Sequence, residues 1–277
     1  MDIVIQALVM GLVQGLTEFL PVSSSGHLIL VPFLMGWDDA FLNSLEFSVM
    51  LHLGTLAALL GYFRADWLRL VPAGLASLRD RSFGDDPDRR LAWLIAVASI
   101  PALVLGFLLN DLVSTRFREV GLVALALVVG GAILWLAERW GTRTRAIGGL
   151  GFGGALGIGL AQAAALVPGI SRSGISISAG LFAGLERESA ARFSFLMATP
   201  VTAAAGVYEA TQLLRGETQV SVALAPLAVG MAASLVAGIV AIAVLLRFLR
   251  THRTDVFVLY RVVLAAIVVF VWLGLGR

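Results

Sequence analysis

The sequence predicts an all-α, polytopic membrane protein with an inverted-topology repeat: about six full transmembrane helices plus two re-entrant helix-loop-helix hairpins. Three observations carry this. The chain is too apolar for water, six of its apolar runs are long enough to cross a bilayer, and two further apolar runs are broken by matching clusters of Pro, Gly and Ser. Of the 277 residues, 59% are hydrophobic and only 14% charged, and the mean hydropathy is +0.93. Soluble domains carry about 25% charged residues, so a bilayer is the solvent in which this surface can be buried.

A helix needs roughly 20 apolar residues to cross the hydrocarbon core. Six runs qualify, at about 43–63, 90–110, 117–138, 188–212, 220–247 and 255–276. The N-terminal stretch MDIVIQALVMGLVQGLTEFL has neither a basic region before its apolar run nor a small-residue cleavage site after it. It is therefore expected to be retained as structure.

The two broken runs are GLVQGLTEFLPVSSSGHLILVPFLMG, about 11–36, and GLAQAAALVPGISRSGISISAGLFAG, about 159–184. The pieces beside each break are too short to span comfortably, so each is read as a re-entrant hairpin. Irregular backbone at membrane depth requires protein or a watery cavity to satisfy its polar groups. The two runs also copy one another. Gln14, Ser23, Ser25 and Gly26 match Gln162, Ser171, Ser173 and Gly174 at a constant offset of 148. The expected halves are 1–142 and 143–277, each a hairpin followed by three spans. Three spans between the copies invert the second hairpin, so the two turns are expected to meet inside the membrane.

Every one of the 20 basic residues is arginine. Thirteen lie in loops on one side, at 64–90, 139–145, 187 and 247–253, against four on the other: Arg116, Arg118, Arg215 and Arg277. This positive-inside bias places the rich side in the cytoplasm. The 111–116 and 213–219 loops and the mouth of the first hairpin then face outward. The charged stretch 69–88 is read as a cytoplasmic loop with an interfacial helix. A net charge of +2 and the absence of any basic helix argue against nucleic acid. Absence of cysteine excludes disulfides and thiolate chemistry.

Polar groups in apolar spans are functional candidates. The first hairpin holds Gln14, Glu18, Ser23, Ser24, Ser25 and His27, with Gln14 and Glu18 on one helix face. The second holds Ser171, Arg172, Ser173 and Gly174. If the turns meet, one site combines a carboxylate, an imidazole, an arginine fork and several hydroxyls. Arginine beside hydroxyls and glycine-exposed N–H groups suits phosphate or carboxylate. Glutamate and histidine supply a base, an acid or a metal ligand. Ser23 and Ser25 also suit helix capping, and Gln162 suits a structural role as the echo of Gln14. Glu46 could face the cavity, while His52 and Thr55 are read as structural.

QGLTEFLPVSSSGH resembles the (E/Q)xxxE signature and Pro-Val-Ser-Ser-(S/T)-Gly-His turn of the undecaprenyl-diphosphate phosphatase, or bacitracin-resistance, family. VPGISRSG resembles its PGxSRSG motif, and the order, separation and hydropathy match over essentially the whole chain. The resemblance implies an enzyme of the bacterial inner membrane. It would hydrolyse undecaprenyl diphosphate to the monophosphate carrier lipid of peptidoglycan synthesis and confer bacitracin resistance. It implies Glu18, Ser24, His27 and Arg172 as catalytic residues. Gln14, Ser23, Ser25, Ser171, Ser173 and Gly174 would bind substrate, and a divalent cation, Mg²⁺ or Ca²⁺, would be shared between Glu18 and the diphosphate. The partners implied are the polyprenyl diphosphate lipid and the bilayer, with no nucleic acid and with a homodimer left open. Many relatives carry Glu where this chain has Gln14, which removes one anionic metal ligand. Two mechanisms stay open: attack by Ser24 with Glu18 or His27 as base, or attack by metal-activated water. A second class of function, a secondary transporter or flippase for a lipid phosphate or other anion, also fits paired broken hairpins.

Overall fold

A computed structural model describes residues 2–82, 86–109, 117–215 and 224–275. The 111–116 loop, most of the 213–219 loop, Arg116 and Arg277 lie outside the described residues. The described chain holds eleven α-helices: α1 (Ile3–Phe19), α2 (Ser24–Met35), α3 (Leu45–Tyr62), α4 (Arg64–Asp80), α5 (Pro87–Leu108), α6 (Val120–Trp140), α7 (Phe152–Ala163), α8 (Arg172–Phe182), α9 (Arg187–Leu214), α10 (Leu224–Leu249) and α11 (Asp255–Leu275). Five of them, α5, α6, α9, α10 and α11, are long and apolar enough to cross a membrane, and a sixth span is obtained if the bent pair α3–α4 counts as one.

These helices fall close to the six apolar runs. The shorter ones account for the interruptions. α1, with 17 residues, and α2, with 12, flank the Pro21 break. α7, with 12, and α8, with 11, flank the Pro168 break, with a short 3₁₀ turn at Ala164–Leu166 between them. α1 begins eight residues earlier than the apolar pattern alone indicates, because the Asp2 side chain caps it by accepting a hydrogen bond from the Val4 amide at 2.7 Å.

α4 leaves α3 at 82°. Leu68, Val71, Leu75 and Leu78 are more than half exposed on one of its faces, while Asp66 on another face is buried and holds Arg69 and Arg192. One face of α4 is thus bare and apolar and another is ion-paired, the pattern of an interfacial helix. The arginine-rich end of the molecule is otherwise tied by ion pairs. Glu138, fully buried, receives Arg143 and Arg187 together with the Thr254 hydroxyl, and Arg250 pairs with Glu188.

Long-range packing follows a crossed pattern. α1 packs along α10, and α7 packs along α5. Each of these short helices thus lies on the second long helix of the opposite half of the chain. The matching glycines explain how closely they approach. A Cβ on Gly11 would stand 2.2 Å from the Gly230 carbonyl oxygen, and one on Gly159 would stand 2.2 Å from that of Ala98. In a bilayer, where apolar burial between helices gains little, such small-residue contacts supply the van der Waals packing that associates them. α3 packs against α9, and α6 against α11. The result carries the two broken segments to the centre of the bundle, turn against turn.

Candidate functional site

The two turns share one backbone device. Ser23 and Ser171 both have φ 75°, in the left-handed region where a side chain costs about 1–3 kcal/mol. Each caps the helix that follows it: Ser23 Oγ accepts from the Gly26 amide at 3.3 Å, and Ser171 Oγ accepts from the Gly174 amide at 3.1 Å. The turns are stitched together. Ser23 Oγ also accepts from the Gly169 amide at 3.0 Å, and Ser173 Oγ donates to the Leu20 carbonyl at 2.9 Å.

Arg261, fully buried on α11, locks the assembly from behind. Its Nη2 donates to the carbonyls of Gly169 at 2.7 Å and Ile170 at 2.9 Å, its Nε to Leu127 at 2.9 Å, and its Nη1 to Pro21 at 3.4 Å. One guanidinium thereby satisfies carbonyls of both turns. Breaks in membrane helices need such partners.

With the turns so held, α2 and α8 start side by side, and their first residues, Ser24 and Arg172, converge on one carboxylate. Glu18, only 5% exposed, is the penultimate residue of α1. Its Oε2 accepts from the Ser24 hydroxyl and from Gln14 Nε2 at 2.9 Å, and its Oε1 accepts from Arg172 Nη2. Arg172 Nη1 donates to the Thr202 hydroxyl of α9. The positive ends of two helices and a guanidinium together stabilise a charge that would be costly at this depth. A hydroxyl on a carboxylate, beside an arginine and two helix N-termini, is an arrangement for a phosphoryl group: a base-activated oxygen, a cationic fork and orphan N–H donors.

One further observation decides the family: residues 7–267 match the family described as "Bacitracin resistance protein BacA". The chain belongs to that family. It is 45% identical to a Thermomicrobium roseum protein named undecaprenyl-diphosphatase, over 96% of this chain and 97% of that one. It is 44% identical to a protein of the same name from Desulforudis audaxviator, over 98% of each. To another of that name from Gemmatimonas aurantiaca it is 46% identical, over 95% of this chain and 96% of that one. Family and helices together make it a multi-pass membrane protein.

Of the residues singled out in the sequence, the structure brings Gln14, Glu18, Ser24 and Arg172 into one hydrogen-bonded cluster. Ser23, Ser25, Ser171, Ser173 and Gly174 build the two turns beneath it. His27 is placed elsewhere. Its Nδ1 meets the Ser23 carbonyl oxygen at 2.7 Å, its Nε2 meets the Tyr260 hydroxyl at 2.7 Å, and its ring stacks on that of Tyr260. The imidazole that does meet Glu18 belongs to His52, whose Nε2 lies 3.4 Å from Oε2. Glu46 lies near Arg118 instead, and Thr55 is buried with its hydroxyl on the His52 carbonyl.

Thr202, Tyr260 and Arg261 were not legible as partners. Arg261 did carry a signal, as a lone charge inside the apolar run YRVVLAAIVVF. His52 and Thr202 sit on separate helices, and only their packing brings them to the cluster.

Proposed function

We propose that this protein hydrolyses undecaprenyl diphosphate to undecaprenyl phosphate and inorganic phosphate in the bacterial inner membrane, with the mouth of the first hairpin on the periplasmic side. The reading rests on one observation above all: Glu18 of the first broken segment receives both the Ser24 hydroxyl and the Arg172 guanidinium of the second. The identically named relatives support the substrate. The crossed packing of α1 on α10 and α7 on α5 supports reading 1–142 and 143–277 as inverted halves, their broken segments as re-entrant hairpins.

In this reading Ser24 is the nucleophile. A serine hydroxyl needs an adjacent base, and Glu18 is in place to accept its proton as the Oγ–phosphorus bond forms. Arg172 holds two non-bridging oxygens of the terminal phosphate, as a planar fork can. The N-termini of α2 and α8 complete the oxyanion site. His27, paired with Tyr260 and the Ser23 carbonyl, holds the turn, and the proton transfer expected of it falls to Glu18.

A divalent cation, Mg²⁺ or Ca²⁺, fits as a companion of the substrate. Among the described residues no three His, Asp or Glu side chains cluster to hold a metal. The chain does offer Glu18 and the Gln14 Oε1, which is buried with no hydrogen-bond partner. Mg²⁺ is commonly bound by one or two carboxylates plus substrate phosphates, and when bound it would neutralise charge on the diphosphate.

Purified protein in detergent, given undecaprenyl diphosphate with Mg²⁺, is expected to release phosphate, and Ser24→Ala is expected to release almost none. A wild-type protein that moves the lipid across vesicle membranes and releases no phosphate would replace this reading with that of a carrier.

A further inference from the structure

We propose that the arginine-rich end of the molecule carries a site for one anionic glycerophospholipid, its phosphodiester set among Arg192, Arg247 and Arg250 and its acyl chains laid along α10. The site is a polar cavity of about 440 Å³, placed where α3 and α10 end and α9 begins. It is separate from the Glu18 cluster. Thr202, which meets Arg172, lies about 15 Å further along α9 than Arg192.

Three guanidiniums share this cavity with one carboxylate. Glu188 uses both of its oxygens on Arg250, whose Nε donates to Oε2 at 3.0 Å and whose Nη2 donates to Oε1 at 2.7 Å. Arg192 donates from Nη2 to both oxygens of Asp66, each at 2.6 Å, and its guanidinium carbon lies 5.4 Å from the centre of the Phe63 ring. The carboxylates and the ring hold these two forks in place. Neither fork has all its N–H groups engaged. Arg247 has no hydrogen-bond or ion-pair partner among the described residues. The cavity thus keeps oriented donors and positive charge without a protein acceptor for them. A phosphodiester is the group that such forks match.

The wall beside the cavity decides between a free phosphate and a lipid. Val236, Val240 and Val244 on α10 are each more than half exposed. Spacings of four, four and then three put them on one helix face with Arg247. From Val236 to Arg247 that stripe rises about 16 Å, and one leaflet of hydrocarbon is about 15 Å deep. An acyl chain anchored at the arginines would therefore be covered along its length. α4 sets the depth of the cavity. It follows Tyr62 after one residue, its Asp66 holds Arg192, and its bare Leu68, Val71, Leu75 and Leu78 mark an interfacial helix. The arginines then stand at headgroup level, where basic pockets between membrane helices take up acidic lipids. A lipid seated there bridges α3, α9 and α10 and stabilises the folded chain by binding it.

The test uses the full-length protein, stripped of lipid in a non-ionic detergent. It would be titrated with dioleoylphosphatidylglycerol, dioleoylphosphatidylcholine or inorganic phosphate, with binding read by native mass spectrometry and by melting temperature. Phosphatidylglycerol is expected to bind one per chain and to raise the melting temperature. Phosphatidylcholine and inorganic phosphate at the same concentration are expected to do neither. Arg247→Gln breaks no protein contact and is expected to weaken phosphatidylglycerol roughly fivefold, and Arg247→Glu roughly thirtyfold. Arg79→Gln removes the same charge from the last turn of α4, outside the cavity, and is expected to bind like wild type. Absence of bound phosphatidylglycerol, equal binding of phosphatidylcholine, or an equal effect of inorganic phosphate would overturn the proposal. So would wild-type affinity in Arg247→Glu, or a loss in Arg79→Gln as large as that in Arg247→Gln. Binding and melting are read without turnover, so failure here leaves the hydrolytic reading standing.

Discussion

Ser24 and Arg172 occupy matching places, 148 residues apart, in the two broken segments. Each opens a helix, each follows a serine with φ 75°, and each aims its side chain at Glu18. Beneath them the matched serines cap the same way, Ser23 to Gly26 and Ser171 to Gly174. One position earlier in the chemistry the likeness stops. The partner of Glu18 in the second segment is Leu166. Gln14 therefore has a carboxylate to donate to, whereas the amide of Gln162, buried in α7, has no hydrogen-bond partner on either of its atoms. The difference teaches that the backbone was kept in duplicate while the chemistry was divided. In the proposed reading one turn carries nucleophile and base, and the other carries the guanidinium.

The sharpest way to break this comparison is to remove the residue on the nucleophilic side. Ser24→Ala is expected to lower kcat by at least about 10³-fold, while its counterpart on the cationic side keeps binding. A phosphate-release assay under saturating Mg²⁺ reads this, and near-wild-type turnover would assign the attack to water. Next comes the opposite member. Arg172→Lys retains charge and loses the fork, and the expected cost is roughly 10²–10³ in kcat. A fully active lysine variant would confine Arg172 to pairing with Glu18.

The third comparison asks whether the shared scaffold can be separated from the divided chemistry. Arg261→Met keeps bulk at α11 and strips the carbonyls of Gly169, Ile170 and Leu127 of their donor. A loss of about 2–4 kcal/mol is expected, seen as a lower detergent melting temperature, with activity falling because both turns loosen. An unchanged melting temperature would mean that the turns hold themselves. The smallest effect belongs to the two glutamines. Gln162→Leu replaces an unpartnered buried amide and should be neutral or stabilising by up to about 1 kcal/mol, with kcat unchanged. Gln14→Leu removes a donor from Glu18 and should reduce kcat measurably. Equal responses would erase the asymmetry between the halves.

Much of this was legible in the chain because bilayer physics writes itself into composition. The six long runs and the two Pro-interrupted ones follow from spanning length and from the cost of unsatisfied backbone. The cluster of Gln14, Glu18, Ser24 and Arg172 was legible because residues so costly to bury stand out in apolar runs. His27 illustrates the limit. Its place after three serines suggested a partner for Ser24, but the φ of Ser23 and the start of α2 turn its ring toward Tyr260. His52, read as structural, was not legible as a neighbour of Glu18, because nothing local points to that contact. That contact comes from α3 lying beside α1, a tertiary fact. The same holds for α4, whose helix was expected in the loop, although its 82° turn from α3 was not.

The central claim is that Ser24 attacks phosphorus directly, with Arg172 of the other turn holding the group transferred. Its most direct test is the stereochemical course at the terminal phosphorus. Undecaprenyl diphosphate bearing a chiral ¹⁸O-labelled terminal thiophosphate would be hydrolysed in ¹⁷O water and the configuration of the released thiophosphate determined. Two in-line displacements through a phosphoserine predict overall retention. Inversion would show a single displacement by water and contradict the account.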